Sequence, residues 1–129
     1  MHNETANQDL KFETLYRHGA EILRAELINF PVEDLDAMLE FSAGVIRSKP
    51  HNSVRIVTVF KEKFPIPANY HKVAEYFKGN RPYVIASAFC GISKTIAGLL
   101  NAVITVAGRT NIRGFMTEEE AIEWLVKQK

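Results

Sequence analysis

A segment with the residue types of a phosphate-binding loop runs from Cys90 to Thr95 and joins a predicted strand to a predicted helix. A nucleotide-binding P-loop needs glycine six residues before its lysine and again directly before it, so that the backbone can wrap the phosphates. Those positions are Ala88 and Ser93 here, which argues against a nucleoside triphosphatase. The free N–H groups of a helix start, helped by Ser93, Lys94 and Thr95, could still hold a phosphate or a carboxylate. Ordinary helix capping with a solvated lysine is the simpler alternative.

Cys90 is the only cysteine of the chain, and it lies where a strand ends beside a helix start. Such a position can lower a thiol pKa and create a nucleophile. A lone cysteine in an apolar segment is more typical of a small buried residue. The rival hypothesis is therefore a small enzyme that uses Cys90 or the Ser93 region, and it needs a base such as His71 or His51 brought close in space.

The chain has four histidines, His2, His18, His51 and His71. They are scattered without ligand spacing and do not predict a metal site. Carboxylates cluster at 33–36 and 118–120, but both runs open predicted helices, where the helix dipole favours acidic residues. We therefore predict a non-catalytic protein with no metal and no cofactor.

The predicted third helix, 93–107, carries more apolar surface than a helix on one side of a sheet requires. At 100° per residue, its polar stripe consists of Lys94, Gly98, Asn101 and Thr105. The opposite arc consists of Ile96, Leu99, Leu100, Val103, Val106 and Ala107, and the flanks are Ala97, Ala102 and Ile104. The surplus could line a lipid-sized cavity, meet a second subunit or lie beneath another helix.

Candidate ligand-binding residues follow from this helix and from the loop before it. They are Gly91, Ser93, Lys94, Thr95, Ala97, Asn101 and Ile104. The first polar turn would contact an acidic head group and the apolar flanks would contact a tail. Under this hypothesis Ile104→Glu abolishes ligand or partner binding without unfolding the domain.

The elements that must position these residues follow from hydrophobic periodicity and from turn residues. Two strands lie between Phe12 and Ile28 around a His18-Gly19 turn, and a helix ends near Pro50. Strands at 54–60, 83–89 and 112–115 alternate with helices at 70–77, 93–107 and after Thr117, whose capping box includes Glu120. The order ββαβαβαβα predicts an α/β fold with a mixed, mostly parallel sheet of four to five strands and about four helices. Residues 1–11 are predicted to be a disordered tail, and 12–129 a single domain.

The 129 residues suit one domain, and the apolar fraction of 47% allows a real core. The net charge is +1, which gives no overall electrostatic attraction for nucleic acid. Arg109, Arg113 and Lys94 could form a small basic patch, although scattered surface charge is the simpler expectation. The N-terminus has no signal-peptide pattern, so we expect a cytoplasmic protein. Polar residues interrupt the stretch 91–108, which leaves peripheral membrane contact open and argues against a spanning segment.

The chain resembles the SpoIIAA-like STAS domains, small bacterial proteins related to the STAS and CRAL-TRIO groups. The resemblance rests on the element order over 12–128 and on three C-terminal stretches, 91–103, Gly108-Arg109 and 115–125. It implies a non-enzymatic role in partner docking or in binding an apolar ligand. Regulatory STAS proteins have an Asp-Ser-Ser-Gly-like turn with a phosphorylated serine after a central strand. This chain has Lys-Glu-Lys-Phe-Pro-Ile-Pro at 61–67 instead, so the resemblance carries no phosphoserine switch.

The sequence thus predicts a binding or regulatory module of the SpoIIAA-like STAS type. Its partner would be a small apolar or amphiphilic ligand, or a protein, bound around the third helix. A homodimer without ligand, joined through the same helix, is the structural alternative.

Overall fold

The computed structural model describes residues 10–27, 35–60, 70–91 and 94–129. Within them, strands and helices alternate after an initial hairpin. The elements are β1 (Leu10–Arg17), β2 (Ala20–Leu27), α1 (Leu35–Arg47), β3 (Val54–Phe60), α2 (Tyr70–Asn80), β4 (Val84–Cys90), α3 (Lys94–Val106), β5 (Ile112–Phe115) and α4 (Glu118–Val126). The α/β prediction is confirmed, including the order of the elements.

The five strands form one sheet in the order β1-β2-β3-β4-β5. β1 and β2 pair antiparallel, and every later neighbour pairs parallel. The hairpin turns at His18 and Gly19, whose φ angles of 50° and 80° both lie in the left-handed region that tight hairpin turns require. Each parallel strand lies beside the strand that precedes it in the chain, so each helix crosses over to the adjacent position.

The helices divide unequally between the two faces of the sheet. α1, α2 and α3 pack on one face, where Ile46, Val73 and Leu100 belong to the same core cluster. α4 covers the opposite face with Ala121 and Ile122. The three crossover helices lie together because successive crossovers of one hand step along the sheet in one direction.

α4 begins with the cap that its sequence predicts. Thr117 has extended backbone angles, and its hydroxyl accepts a hydrogen bond from the Glu120 N–H at 3.2 Å. Satisfying an otherwise unpaired N–H fixes the helix start.

Arg24 of β2 ties the sheet to the start of α4. Its Nε donates to Glu118 at 2.6 Å, and its Nη1 donates to Glu26 at 2.7 Å and to Glu13 at 3.1 Å. The hydrogen bond to Glu118 is the largest cause that raises the pKa of Arg24. This largely shielded cation is thus matched by three carboxylates.

The start of β1 differs from the sequence expectation. β1 begins at Leu10, so Leu10 and Lys11 belong to a strand and not to the predicted tail. The rest of that tail, the residues 28–34 before α1 and the segment 61–67 lie outside the described residues.

No helix among the described residues has the length and the apolar character needed to cross a bilayer.

Candidate functional site

A cavity of about 60 Å³ lies between the sheet and the helices α1, α2 and α3. Its lining is mainly apolar and includes Leu27, Leu39, Ile56, Val73, Phe89 and Leu100. On α1, Met38, Ser42 and Ile46 follow at spacings of four, which places all three on the face that meets the cavity. Ser42 therefore introduces a hydroxyl into an otherwise apolar stripe.

Six polar side chains line the cavity, one of which is Thr58 of β3. The other five form what we call the polar cluster: Ser42, Tyr76, Asn80, Ser87 and Arg109. The hydroxyls of Ser42 and Tyr76 share a short hydrogen bond. Tyr76 also bonds to Asn80, whose Oδ1 accepts from Arg47 Nε at 2.9 Å. These hydrogen bonds connect the inner faces of α1 and α2.

Arg109 is the charged member of the polar cluster and is only 5% exposed. Its Nε donates to Asn111 Oδ1 at 2.8 Å, its Nη1 to the Phe77 carbonyl at 3.0 Å and its Nη2 to Ser87 Oγ at 3.3 Å. Asn111 is itself anchored, because its amide donates to the carbonyls of Val84 and Ile85. The guanidinium plane is therefore held in one orientation.

The partners of Arg109 within the described chain are neutral groups, and none is a carboxylate. Desolvation by burial, followed by repulsion from Arg81, lowers the pKa of Arg109 to about 10, while Tyr76 opposes the shift. A guanidinium with that pKa is still protonated at neutral pH. The cavity wall therefore carries a buried positive charge.

Tyr76 provides a test of the environment of the cluster, because burial raises the pKa of its hydroxyl, while hydrogen bonds from Ser42 and Asn80 oppose that shift. The resulting stabilisation is fully present below pH 10, the ordinary tyrosine pKa, and is lost as the pH rises through the higher folded value. We expect the stability deficit of Tyr76→Phe relative to the wild type to narrow above about pH 10. Urea unfolding of both proteins at a series of pH values measures this difference.

Tyr16→Phe is the control for that series, since Tyr16 is 68% exposed. Its free energy of unfolding should follow the wild-type curve. Arg109 acts with the opposite sign in this pH range, because its lowered pKa relieves a burial cost above about pH 10. The wild type and Tyr16→Phe share this contribution, whereas Tyr76→Phe removes a group that opposes the lowering of the Arg109 pKa. A Tyr76→Phe deficit that stays constant across the series would contradict the buried hydroxyl.

Three of the predicted site residues lie at a second concavity, a groove of about 680 Å³ between α3 and β5. Gly91, Ala97 and Asn101 line it together with Phe115 and Met116, which is 90% exposed. The structure thus brings together three of the seven candidates. Ser93 lies outside the described residues, as do the side chains of Lys94 and Thr95.

Ile104 does not belong to this groove, which corrects the sequence expectation. It is 6% exposed and packs in the core between the sheet and α1–α3. Ile104→Glu would place a carboxylate in that core, so it should unfold the domain and is not a test of binding. Val106, placed by the helical wheel in the buried arc, is instead 68% exposed.

The surplus of apolar surface on α3 is also smaller than the sequence predicts. Leu100, Val103 and Ala107 are buried. Among the described side chains of α3, Val106 is the large apolar one that is exposed. Three of the four arc residues whose side chains are described are therefore used by the core.

Cys90 is 2% exposed and belongs to the core cluster beneath α4, on the face of the sheet opposite the cavity. His51 lies at the other end of the parallel strands, where its ring contacts Tyr83 edge-on with centroids 4.8 Å apart. His71 is exposed on α2. The described geometry gives Cys90 the surroundings of a packing residue and does not bring His51 to it.

No cluster of histidine, cysteine or acidic side chains suited to a metal ion occurs in the described parts of the chain. No family model matches the chain, and neither does any curated protein or solved structure. The resemblance to SpoIIAA-like STAS domains therefore stays a prediction.

The sequence reasoning missed Arg109, which it assigned to a surface patch with Arg113. Arg113 is exposed beside Phe115, with its guanidinium carbon 5.5 Å from the ring centroid, whereas Arg109 is buried. A usable indication was present in Ser42, a polar residue in the middle of the apolar stripe of α1. A polar residue on a buried helix face needs a hydrogen-bond partner, and the partner of Ser42 is Tyr76 of the polar cluster.

Proposed function

We propose that the chain is a non-catalytic binding module that holds a small amphiphilic ligand in the cavity beneath α3. The observation that carries this proposal is the composition of the cavity wall, which is apolar over most of its area and includes the polar cluster. Binding sites for small molecules combine these two features, since apolar walls supply affinity and a few fixed polar groups supply orientation.

The size of the cavity limits the part of the ligand that enters it. A cavity of roughly 150 Å³ holds benzene, and a water molecule occupies roughly 30 Å³ of liquid. The observed volume of about 60 Å³ therefore suits only a few non-hydrogen atoms.

A longer ligand would extend into the groove between α3 and β5. Phe89 and Ile112 line both the cavity and the groove, so their side chains form the partition between the two spaces. α3 borders the cavity with Leu100 and the groove with Ala97 and Asn101. The proposal therefore keeps the third helix beside both spaces and moves the head group from the N-terminus of that helix to the polar cluster, which lies against α1 and α2.

Native mass spectrometry of the purified protein, compared with a denatured sample, tests the proposal. We expect a bound small mass that is lost on denaturation. A dimer without a bound mass would contradict the proposal and indicate a subunit contact in place of a ligand. A monomer without a bound mass that no small amphiphile stabilises would also contradict the proposal.

Ala25→Val provides the matched variant, because Ala25 is 3% exposed and lines the cavity from β2. The substitution adds two methyl groups to the cavity and keeps a residue that strands favour. We expect the variant to stay folded and to lose the bound mass. Ala20→Val makes the same change in the same strand away from the cavity and should keep it.

A further inference from the structure

We propose that the cavity recognises a carboxylate, which pairs with the guanidinium of Arg109. This inference rests on the proposed function, because it concerns the polar group of a ligand held in the same cavity. It names the ligand as a small organic acid, or as the acid end of a longer one.

The first argument is the missing counter-charge of Arg109. Transferring a cation from water into a protein interior is costly unless a paired charge and hydrogen bonds compensate for it. The chain follows this rule at Arg24, whose side chain is 13% exposed and which contacts three carboxylates. Arg109 is more deeply buried, yet its partners in the described chain are two side-chain oxygens and one backbone carbonyl.

Part of the charge of Arg109 is balanced by α2. The Phe77 carbonyl that accepts from Nη1 belongs to the last turn of that helix, where the helix dipole is negative. A helix end carries about half an elementary charge, so a substantial positive charge remains at the cavity wall. A bound carboxylate would complete the compensation.

The second argument is the geometry of the donors. A guanidinium has five N–H groups, and three of them donate to Asn111, Phe77 and Ser87. Two remain, on a plane that these neighbours hold in place. One of them is on Nη1 and the other on Nη2, so a guanidinium fixed in this way can donate to carboxylate oxygens without reorienting. The Tyr76 and Ser42 hydroxyls, which also line the cavity, can supply a further hydrogen bond.

The third argument is the match between cavity and anion class. A carboxylate carries a single charge on two oxygens and is attached to an apolar chain, as the single arginine and the apolar walls require. A phosphate dianion would need further donors in a wall made mainly of aliphatic and aromatic side chains. A volume of about 60 Å³ admits the carboxylate group and little more, so the apolar end of an acid such as propionate would reach toward Phe89 and Ile112.

The decisive comparison is between propionate and propionamide, which have nearly the same shape and differ in charge. Isothermal titration of the wild-type protein, with ionic strength matched by sodium chloride, should give an affinity for propionate at least tenfold higher than for propionamide. Equal affinities would overturn the carboxylate inference and leave the cavity as a binding site. Binding of neither, together with no bound mass in the native spectrum, would overturn the proposed function itself. Tighter binding of inorganic phosphate than of propionate would overturn the assigned anion class.

A titration with octanoate distinguishes a short acid from a long-chain acid as the source of the carboxylate. Tighter binding than propionate would support a long-chain acid whose tail passes Phe89 and Ile112 into the groove. Weaker binding would support a short acid enclosed in the cavity. For both chain lengths, the acid must bind more tightly than the corresponding amide.

Variants assign the effect to Arg109. Arg109→Met should reduce propionate affinity at least tenfold, and Arg109→Lys should recover only part of it because lysine lacks the fork. Arg81→Met removes an exposed cation near the cluster and should not weaken binding. If Arg109→Met does not fold, Tyr76→Phe keeps the arginine and should lower the affinity for propionate more than that for propionamide, because a hydrogen bond to a charged acceptor is stronger. Equal losses for acid and amide, or a loss with Arg81→Met as large as with Arg109→Met, would contradict the assignment.

Discussion

Gly91→Ala is expected to lower the free energy of unfolding by about 3 kcal/mol, which would be a large fraction of the stability of a small domain. Gly91 has a φ angle of +88°, a conformation that residues with a Cβ rarely adopt. A Cβ at this position would also collide with the carbonyl oxygen of Phe60 at the end of β3. Because that obstacle is backbone in the centre of the sheet, it cannot turn away. Urea unfolding measures the loss.

Two other glycines separate the cost of a positive φ angle from the cost of the collision with Phe60. Gly19 has a similar φ of +80° but open space around its missing Cβ, so Gly19→Ala should cost only about 1 kcal/mol. Gly98 lies in α3 with open space around it, and Gly98→Ala should stabilise the protein by up to about 1 kcal/mol. If Gly91→Ala costs no more than Gly19→Ala, the collision with Phe60 does not contribute to the loss of stability.

Leu125→Ala is expected to lower the free energy of unfolding by about 4 kcal/mol. Leu125 is fully buried, and it contributes to the core cluster beneath α4 with Ile122 and Ala121. Among the described elements, α4 is the helix that covers this face, so neighbouring helices cannot move in to fill the space. Urea unfolding of the variant and the wild type gives the difference.

Val126→Ala is the matched control for Leu125→Ala, because Val126 is the next residue of α4 and is only partly buried. Its cost should stay below about 1 kcal/mol. Ligand affinity should survive in folded Leu125→Ala protein, since the cavity lies on the other side of the sheet. A loss below that of Val126→Ala would contradict the assigned role of α4.

The sequence predicts the elements well because each depends on local features. The hairpin is marked by His18-Gly19, whose φ angles confirm the turn, and the last helix by Thr117 and Glu120, whose hydrogen bond confirms the cap. Boundaries are less exact. α2 continues to Asn80 rather than ending near Phe77, because Asn80 is buried and bonded to Arg47 of α1, a tertiary contact that no local pattern shows.

The candidate site depends on how elements rotate against each other, which sequence periodicity does not determine. A helical wheel gives the relative directions of Ile104 and Val106 but not which of them meets the sheet, and the structure buries Ile104. The burial of Arg109 also depends on tertiary packing. It lies after a helix stop at Gly108, and only the packing of α1, α2 and β4 around it makes it a buried cation.

The spatial order of the strands, which repeats their order along the chain, bears on how the protein is made. A polypeptide emerging from the ribosome can add each parallel strand to the sheet edge that the preceding unit has just completed, without waiting for a distant partner. The face beneath α4 is different, since Ile22, Val57 and Ala86 are synthesised well before the helix that shields them. During translation this surface stays open until residues 118–126 have left the exit tunnel. The nascent chain therefore exposes this apolar face in the interval between the pairing of these strands and the docking of α4.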